Sequence, residues 1–277
     1  MRKIFRLFLY VFALIGLVFT GVFVAMQFNL LNVKGSVSER NAYFNLKKNS
    51  NLETKNTSTA IASGWASSEE WALMKEVFTR DQAIINQAAR DAQISPRLIL
   101  AGVIGEQFRF FTNRRESFKG YFEPLKILAS LSKFSFGIAG LKPETVNLIE
   151  THLKDPKSTF YLGSDMEHVA DYPANVTDVA TERMNRITET KNPYYPYLYV
   201  GLFMRQVEAQ WAHAGYDISD RPEIIATLYN LGFNRSIPKA NAQAGGAPIT
   251  INGVTYTFGD LGYEFYYSGE LADIFPQ

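Results

Sequence analysis

The chain has no cysteine, three histidines and almost no net charge, and each shortage removes a class of chemistry. Without cysteine there are no disulfides, no thiolate metal sites, no thiol nucleophile and no lipid-modified cysteine of a lipoprotein. His152, His168 and His213 are scattered without metal-ligand spacing, and no His-Glu-x-x-His, phosphate-loop or Gly-x-Ser-x-Gly motif occurs. Neither a metal nor another cofactor is therefore expected. A formal charge of +1, with no Lys/Arg stripe interleaved with aromatics, leaves no electrostatic footprint for nucleic acid. Strand signals are scarce too, until about residue 248.

What is present is apolar mass. Residues of the apolar class make up 47% of the 277, enough for a substantial core and for one good-sized domain with appendages. Arg2, Lys3 and Arg6 flank an apolar run from about Ile4 to Met26. That length suits a helix crossing a hydrocarbon layer of roughly 30 Å, which takes about 20 residues. Phe23-Val24-Ala25 is a poor match to a small-x-small cleavage site, so residues 1–26 read as an uncleaved signal anchor. The positive-inside rule then leaves the N-terminus in the cytoplasm and everything beyond Gln27 on the periplasmic, extracytoplasmic side of the inner membrane. A cleaved signal with a secreted domain is the alternative. Residues 27–62 are polar and read as a stalk, 63–240 as a helical domain, and 241–277 as a hairpin and helical tail expected to pack on that domain or edge its groove.

Within the domain, Ser67-Ser68-Glu69-Glu70 ahead of Trp71 is a capping-box pattern, and the helix it opens should run to Gln87-Ala88-Ala89. Further helices are expected over 95–110, from Glu123 to Phe134, from Pro143 to Leu153, from Pro173 to Thr190 as a charged surface helix, from Pro196 to Ala214, and from Pro222 to Gly232. Asn252-Gly253 between two alternating segments predicts a hairpin with a type I′ turn, and Leu261 to Phe275 reads as helical again. The fold class is mainly α with one small C-terminal β-hairpin.

One carboxylate stands out. Ser95-Pro96 is a helix-start signature, and Arg97 through Gly105 is apolar on nearly every face, so the helix is buried and delivers Glu106 about three turns in. A glutamate there must either be paired or be shifted toward its protonated form, which makes it a candidate general acid. The structural alternative is an ion pair with Arg109, Arg114 or Arg115.

Three segments belong with it: Ile104-Gly105-Glu106-Gln107, then Ser135-Phe136-Gly137-Ile138-Ala139-Gly140 leading to Pro143-Glu144-Thr145, then Ala226-Thr227-Leu228-Tyr229-Asn230-Leu231-Gly232. In this order they resemble the lytic transglycosylase and goose-type lysozyme superfamily, whose members cleave the glycan strands of peptidoglycan. Glu106-Gln107-Phe108-Arg109 is similar to a branch with Glu-Gln-x-Arg and a longer spacer. The resemblance spans roughly residues 67–235. It implies a lysozyme-like fold of the SLT type, with Glu106 as catalytic acid. Ser135 and Gly137 would shape the glycan groove, and Tyr229 and Asn230 would line the site. In that family the acid protonates the glycosidic oxygen and the sugar closes on itself to a 1,6-anhydromuramoyl product, so no second carboxylate is needed, unlike the two-acid glycosidases.

The partners implied are peptidoglycan strands, the membrane through the N-terminal helix, and an envelope protein complex. Ala139-Gly140 stands where the family has Met-Gln or Gly-Gln, so an amide that lines the groove is missing. That keeps open a catalytically silent glycan-binding or envelope-scaffold protein. A hydrolytic muramidase, with Glu116 or Glu123 placing a water, is the other alternative. The run Tyr194-Tyr195-Pro196-Tyr197-Leu198-Tyr199 could stack on sugars but is expected to be mostly core.

Overall fold

The computed structural model describes residues 64–112 and 137–277, with isolated positions (6, 10, 16, 17, 20 and 21) nearer the N-terminus. Most of the expected anchor, the stalk, Ser135, Glu116, Glu123 and the helix expected over 123–134 lie outside the described residues. Among the described residues the chain forms eight helices and one two-stranded antiparallel sheet, and no helix is long and apolar enough to cross a membrane.

The organising element is α3 (Pro96–Thr112). Ser95 caps it through its side chain, which accepts from the Arg97 N–H at 3.2 Å. Leu98 to Phe108 are all buried, because the helix is packed on every side. Around it stand α1 (Glu69–Arg80), α2 (Gln82–Ala92), α6 (Tyr194–His213), α7 (Pro222–Leu231) and α8 (Phe258–Tyr267), with strand β1 (Pro248–Ile251) lying against it. The remaining helices, α4 (Pro143–Lys154) and α5 (Val179–Thr188), pack on α6. Small residues allow the closest approaches. A methyl at Gly102 would meet Met204, one at Gly105 would meet the Phe258 ring, and one at Gly262 would meet Ala226.

Several boundaries differ from the sequence expectation. The first helix is two: it breaks at Asp81, whose backbone turns at φ −89°, ψ 9° while its carboxylate is held by Arg80. The helix expected from Pro173 begins only at Val179. Asp178 accepts from the Thr181 N–H and makes the better cap, and Pro173 to Val176 closes a turn instead. Its last turn is not surface: Arg186, Ile187 and Thr188 are buried. The tail helix starts earlier than expected, at Phe258, through a Thr257–Asp260 capping box, and ends at Tyr267.

The hairpin pairs β1 with β2 (Val254–Thr257), Ile249 opposite Tyr256 and Ile251 opposite Val254. Asn252 and Gly253 both take positive φ, as a type I′ turn requires.

The tail is bound into the domain rather than laid on it. Arg97, fully buried, donates to the backbone carbonyls of Phe265, Tyr266, Ser268, Glu270 and Phe275, and its guanidinium lies 4.7 Å from the Phe265 ring centre. Burial pulls its pKa below the usual arginine value, while Tyr266 and Glu270 act in the opposite sense. The tail carboxylates in turn receive two N-terminal indoles, Trp65 on Glu264 at 2.9 Å and Trp71 on Glu270 at 3.0 Å.

A second polar knot fastens α5. Glu150 on α4 takes both Arg183 Nε and Nη2, at 2.9 and 2.7 Å, and the hydroxyls of Tyr172 and Tyr199. Burial, with Glu150 adding to it, pushes the Tyr172 phenol up to about 12. Arg186 lies between the rings of Tyr172 and Tyr195, 3.9 Å from each centre. The aromatic run at the start of α6 is used here, in packing. Tyr197 and Tyr199 are buried, and Tyr194 bonds Asp91 at 2.6 Å.

Candidate active site

Glu106 sits in the C-terminal half of α3. It is 7% exposed and opens on a small cleft of about 90 Å³. The cleft is lined by Glu106 and Arg109 from α3, by Gly140, Leu141, Lys142 and Thr145 from the turn into α4, and by Tyr229 to Gly232 at the end of α7. All three sequence segments thus meet here, from positions more than 120 residues apart in the chain at the extremes. Glu106 is the one carboxylate lining the cleft among the described residues.

The segments are tied to one another, not merely adjacent. Gln107, buried beside the acid, donates its side-chain amide to the carbonyl of Ile138. The Tyr229 hydroxyl donates to the next carbonyl, Ala139, at 2.6 Å. Two side chains, one from α3 and one from α7, therefore hold successive peptide groups of the loop that ends at Gly140. Because buried carbonyls are normally paired, these two bonds fix where the loop can run. Asn230 also lines the cleft, and its side-chain oxygen accepts from the Ala247 N–H at 2.9 Å and docks the segment that leads into the hairpin.

Gly140 explains the missing amide. It has φ +65°, and a Cβ built on it would fall 2.4 Å from Glu106 Oε2. Any side chain there would displace the carboxylate. Gly137, also at positive φ, plays a different part. Its Cβ would fall 1.9 Å from the carbonyl oxygen of Ile187, so it permits the loop to touch the end of α5 and does not line the cleft.

The electrostatics centre on one pair. Arg109 Nη2 lies 2.5 Å from Glu106 Oε2, one turn along the helix. Side-chain exposure is 30% for the arginine and 8% for the glutamate, so the pair has one dry member and one wet one. Lys142 stands exposed on the opposite rim, just before Pro143 at the first position of α4. No three His, Cys, Asp or Glu side chains gather where they could hold a metal ion among the described residues.

Sequence reading reached Glu106, Tyr229 and Asn230, and the structure brings these three together; Gly137 lies outside the cleft. It did not assign Lys142 or Thr145 to the site. Their signal was weak: a lone lysine before a proline, and a threonine in a helix's first turn. No protein-family model, curated protein or solved structure matches the chain.

Proposed function

We propose that this chain is a membrane-anchored lytic transglycosylase of lysozyme-like fold, working on peptidoglycan outside the inner membrane, with Glu106 as its acid. The observation that carries the reading is the meeting of three separated sequence segments around one shielded carboxylate in a cleft. The chemistry needs one proton and one acid. Glu106 gives its proton to the glycosidic oxygen, the bond from that oxygen to C1 breaks, and the leaving sugar departs as an alcohol. The 6-hydroxyl of the remaining muramyl residue then bonds to C1, and its proton returns to Glu106. No water is consumed, so a second carboxylate is not required.

Glu106→Gln tests this directly. The full chain should release 1,6-anhydromuramoyl ends from purified sacculi, and the variant should lose at least about a hundredfold of that rate, the usual minimum for removing a general acid. Reducing muramic ends instead would mark a hydrolytic muramidase. Equal digestion before and after the change ends the enzyme reading.

One observation favours a second reading, a silent glycan-binding or envelope-scaffold protein. A carboxylate held by a guanidinium favours the form that has already lost its proton, and that form cannot act as an acid. The missing amide adds little to it, since Gly140 has a steric reason to be glycine.

A further inference from the structure

We propose that a tyrosine strip on the outer face of α8 rests on the lipid headgroup layer and docks the domain there with its cleft uncovered. This rests on the membrane-anchored part of the proposed function and says which side of the domain meets the lipid.

Most of α8 is used inward: Phe258, Gly259, Leu261, Gly262 and Phe265 are buried. The opposite side of the helix carries Tyr263 and Tyr267, one turn apart and 48% and 49% exposed. Their ring centres are 4.7 Å apart, and the half-buried Tyr266 lies 5.2 Å from Tyr267, so the three rings make one continuous surface. Aromatic rings gathered this way on a surface, rather than scattered singly, mark a place of contact. Tyrosine narrows the kind of contact. Its ring is apolar and its hydroxyl wet, which suits the level of the lipid headgroups, where tyrosine is enriched.

The route of the chain brings that surface close. The described domain begins at Gly64, whose carbonyl accepts from the Asn252 side chain at 3.1 Å. Trp65 follows, and its indole donates at 2.9 Å to Glu264, the neighbour of Tyr263. The strip therefore adjoins the point where the chain arrives from the apolar run of residues 4–26. Residues 27–63 join the two and, even drawn out fully, hold Gly64 within about 130 Å of the lipid. Such a tether makes docking intramolecular, so a few rings suffice where an untethered protein needs a larger patch. No residue of α8 lines the cleft. Gly246 runs between the two, since its Cβ would fall 2.8 Å from Phe258 and 3.0 Å from Asn230. A bilayer on the strip thus leaves the described lining of the cleft open to glycan.

Charge says which lipid. Residues 258–277 hold Asp260, Glu264, Glu270 and Asp273 and no lysine or arginine. The two cations that reach the tail are engaged there, Lys75 by Glu270 at 2.5 Å and Arg97 by backbone carbonyls. An anionic surface repels such a face, so zwitterionic headgroups are its partner. A contact made by rings is also indifferent to salt, unlike one made by charges.

The test uses the full-length chain reconstituted into zwitterionic vesicles that carry nitroxide-labelled lipids, with a reporter indole in place of one exposed side chain. The native Trp65, Trp71 and Trp211 are buried and give a constant background. Tyr263→Trp and Tyr267→Trp should each be quenched about threefold more strongly by a headgroup-level label than Val179→Trp, an exposed site on α5. A label deep in the hydrocarbon should quench them less. Added salt should leave the quenching unchanged, and replacing part of the lipid with an anionic one should lower it.

A chain that stays with the vesicles through an alkaline wash, yet is quenched alike at 179, 263 and 267, overturns the docking and leaves the anchored reading standing. Quenching at 263 and 267 in a chain that the wash removes keeps the docking and ends the anchor. A chain that never floats with vesicles ends both. Quenching confined to anionic vesicles and lost in salt replaces the tyrosine contact with a charge contact. Flat quenching, with sacculus binding lost in Tyr263→Ser/Tyr267→Ser, gives the strip to glycan strands and overturns the proposal.

Discussion

Two arginines stand near opposite ends of α3, and they solve the same problem in opposite ways. Arg97, in the first turn, is fully buried, and its donors end on five backbone carbonyls of the tail, none of them able to leave. Arg109, in the last turn, is 30% exposed and meets a side-chain carboxylate that borders a cleft. The first arrangement compensates a desolvated charge completely and freezes it, since removing a buried charge from its partners costs several kcal/mol. The second leaves a charge in contact with solvent beside a dry carboxylate. A single helix thus carries a fully buried cation at one end and a part-exposed one at the other.

The sharpest way to break this comparison is to remove the buried charge. Arg97→Met keeps the volume of the stem but leaves five carbonyls without their donor. We expect a loss of about 4 kcal/mol in urea unfolding, with hydrogen exchange quickening over residues 258–277. Arg97→Lys should recover less than half, because three ammonium donors cannot reach what the planar fork reaches. Arg109→Gln should cost less, about 2 kcal/mol, because the lost cation is part-exposed although the dry Glu106 loses a partner. A loss below 1 kcal/mol for Arg97→Met, or losses alike at the two positions, would mean that the tail is held by its apolar contacts alone.

Much of α3 was legible in the sequence, because its signals are local. Ser95-Pro96 marks the start, and apolar residues on every face mark burial. The Asn252-Gly253 turn is local too. What was not legible depends on distant partners. Arg97 interrupts an apolar run and nothing near it in sequence says that carbonyls some 170 residues later will receive it. Gly140 looked like the loss of a groove-lining side chain, whereas its neighbour in space, Glu106, shows a steric demand. The break at Asp81 and the late start of α5 were missed because continuous periodicity was read across a residue that prefers to cap.

The two loop glycines sharpen the contrast between frame and site at a smaller scale. Alanine at either position pays roughly 1 kcal/mol or more for positive φ. At Gly137 the added methyl meets a backbone carbonyl, so the contact with α5 must open, and about 3 kcal/mol is expected. At Gly140 it meets the end of a flexible side chain. There we expect about 2 kcal/mol, with sacculus digestion down at least tenfold because Glu106 is displaced. Gly140→Ala with full activity would show that the carboxylate need not lie where it does.

The smallest effect concerns a third kind of buried charge, one avoided altogether. His152 packs 4.6 Å from the Phe160 ring and 5.1 Å from Phe233, with Ser158 Oγ 2.9 Å from its Nδ1. Burial lowers its pKa from the usual 6.5, with Asp155 opposing. The folded protein therefore prefers the neutral ring, while the unfolded chain binds the extra proton more readily. Stability then rises with pH wherever the unfolded state holds more protons, so the contribution is complete above about 6.5 and is lost as the pH falls from there toward the folded value. His152→Phe removes the titration. Between pH 7 and pH 5 the wild type should lose more stability than the variant, by under about 1 kcal/mol, in parallel urea titrations. Equal losses would mean that the ring accepts its proton in place, and that a half-buried cation can be tolerated here without either the five carbonyls of Arg97 or the carboxylate of Arg109.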